Sequence, residues 1–417
     1  MNINIKEFIK SEKEFSLIIS LLILLAYFSA LISTSFYSGV VDIYNILLKY
    51  LPIIIPIMIL IDIKNIKITF HHLCLLAFIL IAICSTAPYF NIDNYFRDYI
   101  IGEISLPVLS VIYLSLPKKK YSEYRIIKMK IIRIALLLSC LIICILGLTV
   151  DNSSIGGITV GKNVFGFIAV SMIIAGAYFV DEKKIYILIP IIILVLFGLY
   201  ITFYSQSRAS TLISFLFVFF YLAFYFYKNT KSKKNYFIIL TMIVIISIIV
   251  IFVFRESLFS YITNDINEEE LNDNFLLILS GRWTLWTKRF PGIMKNHLLF
   301  GRGVQTFSLI DMNNLAFLNY PIERLNFLHN IVLDAIYSGG IIGFAYLAAS
   351  GISYFFNVIL KLDYKDKNIV YGVIVIITIL IYCLIDAYFI WGKHLANIIF
   401  FMEIGNLSNL LNKKEKI

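Results

Sequence analysis

Apolar residues along this chain neither alternate with polar ones nor return every third or fourth position against a polar face. They come in long runs of about 17 to 25 residues that recur from end to end. At 1.5 Å of rise per residue, a helix of that length crosses the ~30 Å hydrocarbon layer of a bilayer. Strands of a membrane barrel would be shorter and would alternate, so the pattern predicts an all-α integral membrane protein. Twelve spans are predicted, at about 15–34, 44–61, 68–87, 99–116, 131–150, 163–180, 185–204, 209–227, 236–254, 341–360, 369–390 and 395–411. The first follows a leader carrying Lys6, Lys10 and Lys13 and lacks the small-residue pattern of a cleaved signal, which makes it a retained helix. One long polar segment interrupts the ladder. It divides the chain into 1–254 with nine spans, 255–340 with amphipathic helices, and 341–417 with three. The two sides are unlike one another and show no internal repeat, which counts against a transporter built from repeated halves.

Composition agrees: the chain has 417 residues, 60% hydrophobic and 15% charged, with a mean hydropathy of +0.87. Charge then orients the ladder, because short cytoplasmic loops carry the Lys and Arg excess. With the N-terminus inside, most of the 36 basic residues fall on cytoplasmic segments, seven of them between Lys118 and Arg133. The short outer loops hold Arg97, Lys162, Arg208 and Lys393. Both termini are therefore expected inside and residues 255–328 outside. The net charge of +10 belongs to the inner rim, where basic residues meet anionic lipid, and is not a nucleic-acid signal. The long outer segment is nearly neutral, with seven basic and eight acidic residues, so its cations are individually placed. All five cysteines fall within spans; Cys140 and Cys144 share a helix face, but no histidine accompanies them, and packing is the expected role.

Glycines, cations and one histidine gather in the outer segment. After an acidic, Asn-rich stretch (264–274), Ser280 reads as a helix cap. Trp283, Trp286, Phe290, Ile293 and Met294 follow at spacings of three and four, the mark of a helix lying on the membrane surface, until Pro291 disturbs it. Arg282 and Arg289 are seven residues apart and so point nearly the same way. Arg289 fits a headgroup contact, whereas Arg282 follows a glycine at a helix start, where free N–H groups already favour an anion. Arg208, in Ser205-Gln206-Ser207-Arg208, is a lone cation between two apolar spans, suited to a headgroup or to a bound anion. Lys162 and Trp391-Gly392-Lys393-His394 share that side, and several isolated cations on one face suit a phosphate-bearing ligand. His329 stands at the start of a short helix ending at Gly339-Gly340. It is either an ordinary polar residue at the water boundary or a base able to take a proton from a hydroxyl. His297 and His394 are also outside; His71 and His72 lie at the inner end of the third span. No Asp-x-Asp, P-loop or zinc spacing occurs outside, so neither a metal nor a cofactor is expected, and arginines would supply the electrostatics. Lys49, Glu103, Asp386 and Glu403 lie within or at the ends of spans and are expected to pair internally or to line a headgroup cavity.

The order and spacing of Gly161-Lys162-Asn163-Val164-Phe165-Gly166, Ser207-Arg208, Ser280-Gly281-Arg282 with Trp286, Phe300-Gly301-Arg302-Gly303, Leu328-His329-Asn330 and Gly339-Gly340-Ile341-Ile342-Gly343 resemble the O-antigen ligase and polymerase superfamily, over the later two thirds of the chain. The resemblance implies an inverting, metal-independent glycosyltransferase of the GT-C type in the bacterial inner membrane, with its active site periplasmic. The implied partners are an undecaprenyl-diphosphate-linked glycan as donor and lipid A-core as acceptor. Carried across, Arg208 and Arg282 match the arginines that hold the diphosphate, and His329 matches the histidine that activates the acceptor hydroxyl. Lys162, Arg289, Arg302 and Lys393 would contact donor or merely lipid. Asp386-Ala387-Tyr388-Phe389-Ile390-Trp391-Gly392-Lys393 looks more like the ligases, which favours a ligase over a polymerase joining lipid-linked repeats. A flippase of lipid-linked oligosaccharide, which also needs outer cations, is the alternative of another class.

Overall fold

The computed structural model describes residues 13–32, 38–61, 63–89, 94–117, 124–149, 159, 161–180, 185–229, 286, 290–304, 330–385, 390–391 and 394–414. The described residues are helical apart from turns and one isolated bridge, Ile32 to Thr159. Helices run α1 Lys13–Leu31, α2 Ser38–Ile61, α3 Phe70–Thr86, α4 Asn94–Ser115, α5 Tyr124–Leu148, α6 Lys162–Ala177, α7 Ile185–Tyr204, α8 Arg208–Asn229, α9 Phe290–Met294, α10 Ile331–Asn357, α11 Lys367–Ile385 and α12 Leu395–Lys414. A helix coincides with each expected span except the ninth, 236–254, which lies outside the described residues. Ile126–Leu148, Ile331–Lys361 and Lys367–Ile385 are long and apolar enough to cross a membrane.

Outward faces are as apolar as the interior. On α5 the stripe Ile134, Leu138, Ile142 and Ile145 is exposed, while Ile132, Leu136, Cys140 and Cys144 face inward. A soluble helix would place polar residues on the exposed stripe, so this is the architecture of an all-helical membrane protein. At its centre lies α6, buried on every side from Phe165 to Ala177 and packed by α5, α7, α8 and α12. Small residues permit the approach: Gly198 of α7 lies against Ile173, and Gly147 of α5 against the Phe165 ring. Tyr221 of α8 and Tyr371 of α11 then donate hydrogen bonds to the Ala177 and Ile174 carbonyls of α6, each at 2.8 Å.

Contacts between elements sort the helix ends into two sets, as an alternating ladder requires. At one end Lys67 Nζ donates to Asn412 Oδ1 (3.1 Å) and Lys128 Nζ to Ser16 Oγ (2.7 Å). His71 and His72 are buried there, with His72 Nε2 3.2 Å from Ser115 O. At the other end lie the starts of α6, α8, α10 and α12 and the ends of α3 and α11.

Arg133 departs from the charge reading, which counted it with the inner rim. It is 2% exposed and forms an ion pair with Glu403 of α12, itself 1% exposed. Its guanidinium lies 3.8 Å from the Tyr178 ring centroid and 4.8 Å from that of Tyr371. Glu403 also accepts from Asn406 Nδ2 at 3.0 Å. The expectation that Glu403 pairs internally therefore holds. Lys49, by contrast, is exposed and lies 5.6 Å from the Tyr50 ring centroid. Asp386 falls outside the described residues.

The tenth element begins ten residues before its expected span and is broken inside. Gly340 has φ 68° and ψ −170°, so the helix ending at Gly339 and the span starting at Ile341 are two halves of α10. Residues 298–303 fill the break. In a continuous helix Ile341 and Ile342 N–H would donate to Tyr337 and Ser338 O. Here they donate to Leu298 O (2.8 Å) and Leu299 O (3.2 Å). The vacated carbonyls accept instead from Arg302 N (2.7 Å) and Gly303 N (3.2 Å). Gly301 and Gly303, at φ 77° and 91°, adopt left-handed backbone to run this close. A Cβ on Gly301 would lie 2.6 Å from Tyr337 O, and one on Gly340 would overlap the Leu299 carbonyl.

Two stability outcomes follow. Arg133→Met or Glu403→Leu alone strands a buried charge and is expected to cost about 3–5 kcal/mol, while the double substitution recovers most of it; single variants that melt in detergent like wild type would refute the pairing. Gly340→Ala meets both the wrong φ and a backbone overlap and is expected to cost about 2 kcal/mol or more. Gly351→Ala on the same helix, where a Cβ meets nothing within 4 Å, serves as the control and is expected to leave the melting temperature unchanged or raised.

Candidate functional site

Two helices start side by side at the end of the bundle that holds the outer motifs. Lys162 is the first residue of α6 and Arg208 the first of α8, and both are half-buried. A tight turn with Gln206 at φ 52° leads into α8. Ser207 acts as its cap: the Ser207 hydroxyl oxygen accepts from Ser210 N at 3.4 Å, and its carbonyl accepts from Thr211 N at 2.9 Å. Ser205, Ser207 and Ser210 are all fully buried because they pack on Gly166 of α6. A Cβ there would lie 2.7 Å from Ser205 Oγ, 2.8 Å from Ser207 Cβ and 2.9 Å from Ser210 Cβ. Ser210 Oγ also reaches Asn163 O at 3.5 Å. The structure thus brings together the Lys162 and Arg208 motifs, which lie far apart in the sequence, with glycine as the condition of their approach. Unpaired N–H groups at a helix start favour negative charge, and here two starts combine with two cations.

The turn between α11 and α12 packs against the same part of α6. Phe167, next to Gly166, stacks on Tyr382 (4.4 Å between centroids) and lies 4.6 Å from His394. His394 is buried, its Nδ1 accepting from Ala396 N at 3.2 Å and its Nε2 lying 3.4 Å from the Tyr382 hydroxyl. An acceptor Nδ1 leaves the proton of a neutral ring on Nε2, so His394 holds its turn in place and is not a base open to solvent. Trp391 in that turn packs on Phe78 of α3 at 5.6 Å, and Phe78 in turn lies beside Gly339. These contacts link the start of α6 to the break in α10.

Arg302 is half-buried, its backbone held in that break. His297 is half-buried in the turn before it, accepting through its carbonyl from Gly301 N at 2.7 Å. α10 opens on Asn330, whose side chain accepts from Val332 N (3.0 Å) and Leu333 N (3.1 Å) while its Nδ2 donates to Leu384 O (3.0 Å). The residue after His329 therefore caps α10 and ties it to α11. His329, Arg282, Arg289 and Lys393 lie outside the described residues, as do Ser280, Trp283 and the stretch 264–274. Of the expected surface helix, Trp286 and α9 are described. Pro291 is the second residue of α9, a position that lacks an intrahelical donor role and so accepts proline. Phe290 and Met294 are buried rather than laid on a surface.

Three features of this end escaped the sequence reading. The Asn330 cap had a signal, an Asn immediately before an apolar run. Gly166 as the contact between two helix starts had none. Nor did Ser85 and Thr86 at the end of α3, which hold residues 300–304: Ser85 Oγ donates to Phe300 O, and Thr86 Oγ1 accepts from Val304 N at 2.8 Å.

Comparison with curated proteins gives no match. A family model described as O-Antigen ligase matches residues 192–348, less than half of the chain, from within α7 to within α10. That segment contains Arg208, Arg302 and the whole of the broken-helix junction, and its match supports an assignment to the O-antigen ligase and polymerase superfamily.

Proposed function

We propose that the protein is a GT-C-type membrane glycosyltransferase that moves a glycan from undecaprenyl diphosphate to lipid A-core at the periplasmic face of the bacterial inner membrane, with inversion and without a metal. The reading is carried by the pairing of the Lys162 and Arg208 helix starts, the second of which lies in the family segment, at the end of the bundle that also holds the break in α10. Two helix dipoles and two cations favour a doubly charged anion, and the leaving group of such a transfer is a diphosphate. Arg208 and Arg282 hold that diphosphate as charge builds on it, assisted by Lys162, Arg289, Arg302 and Lys393. His329 takes the proton of the acceptor hydroxyl as the hydroxyl oxygen attacks the anomeric carbon from the face opposite the departing diphosphate. Inner-rim lysines set the orientation, with both termini cytoplasmic.

Purified protein supplied with undecaprenyl-diphosphate-linked glycan and lipid A-core, with chelator present, is expected to place glycan on lipid A-core. Longer lipid-linked chains from donor alone would instead make it a polymerase. In the same assay His329→Ala is expected to lower kcat by about 10²- to 10⁴-fold with donor still bound; full turnover would remove His329 as the base, whereas no product from the wild-type protein with donor still bound would favour a flippase. Arg282→Lys replaces a bidentate fork by a point charge and is expected to reduce kcat/KM about tenfold or more. An unchanged value would count against diphosphate binding by Arg282.

A further inference from the structure

Residues 298–304 form a strap with two anchorages. One is the break in α10. The other is the end of α3, which lies outside the segment matched by the O-antigen ligase family. There the Thr86 hydroxyl, 1% exposed, donates to Ala82 O at 2.8 Å and accepts from Val304 N at 2.8 Å, so both of its roles are filled. Ser85 Oγ donates to Phe300 O. Gly303 rests so closely on this end that a Cβ would lie 2.6 Å from Thr86 Cα.

The docked strap competes with a simpler arrangement. Were it to withdraw, Ile341 and Ile342 N–H would regain the Tyr337 and Ser338 carbonyls as bonds of a continuous helix. The strap's own peptide groups would then be met by water at the end of the bundle. Backbone hydrogen bonding is satisfied either way, so anchors outside α10 decide between the two. Straightening α10 would also swing residues 331–339, whose cap Asn330 is bonded to Leu384 O, and would release the backbone of Arg302 from Tyr337.

We propose that Thr86, assisted by Ser85, is a positioning residue for the transfer reaction: by holding Val304 it keeps the strap in the break, and with it Arg302 and the half-helix that begins two residues after His329. The inference rests on the transferase reading of this end. It assigns to α3 a part in the reaction that no residue of the family segment supplies.

Thr86→Val keeps the shape of the side chain and removes the acceptor for Val304 N–H; Thr86→Ser restores it. The full-length variants in detergent are compared in melting temperature, in binding of undecaprenyl diphosphate alone, and in turnover of the lipid-linked glycan. Thr86→Val is expected to lower kcat about tenfold with donor KM and melting temperature little changed, because a withdrawn strap is satisfied by water. Thr86→Ser should stay within about twofold of wild type. Wild-type kcat in Thr86→Val overturns the proposal. So does a kcat loss that comes with a lowered melting temperature and is not rescued by Thr86→Ser, since that outcome marks a packing residue. The parent reading fails separately: no transfer product from the wild-type protein with donor still bound would remove it, whereas normal turnover in Thr86→Val beside an active wild type would remove the role of Thr86 alone.

Discussion

The four hydrogen bonds between residues 298–303 and the break in α10 constrain more than the two segments they join. A buried peptide group left unpaired costs free energy, so a helix opens inside a packed bundle only where another backbone offers two donors and two acceptors in register. Three glycines at positive φ provide that register, two in the strap and one in the helix. Because the strap also rests on α3, and α3 packs along α10 more extensively than any other described pair of helices, the opening is braced from both sides. The turn before α12 is tied to that arrangement through Trp391 and Phe78.

The other fixed point is α6. A helix buried on all sides cannot shift without displacing its neighbours, and three separate stretches of chain use it as a reference. The turn before α8 meets it at Gly166, the turn before α12 meets it at Phe167, and α5 holds its end through Arg133 and Tyr178. Lys162 and Arg208, at the starts of α6 and α8, therefore sit on helices anchored to this frame.

Much of this was legible in the sequence, and the limits of legibility have physical causes. Apolar runs located the helices because a bilayer demands a minimum length of each one. Isolated cations and glycines are out of place in an apolar chain, and of the motifs they marked the structure sets those of Lys162 and Arg208 side by side. Gly339-Gly340 read correctly as the end of one helix and Ile341 as the start of the next span, but the docking of residues 298–303 in the break between them was hidden, since that partner segment lies some forty residues earlier. Arg133 was misread because a cation near a span boundary is ordinarily a rim residue, and nothing near it in sequence reveals a carboxylate on another helix. By sequence His394 shares the outer side with His329, but its burial against Phe167 and Tyr382 depends on contacts that its own neighbourhood in the sequence does not reveal. Ser85 and Thr86 carry no pattern at all, as a hydroxyl at a helix end is commonplace until a backbone docks on it.

The Arg133–Glu403 pair bears on how the protein is made. Its partners are 270 residues apart in the chain, and α5 leaves the ribosome long before α12 exists. Throughout that interval an arginine occupies a helix bound for the bilayer with no counter-charge, a costly state that favours retention at the insertion machinery or a shallow, displaced position. The seat of α5 against α6 is thus completed only when α12 arrives. A chain that stops before Glu403 leaves Arg133 without the carboxylate that matches it.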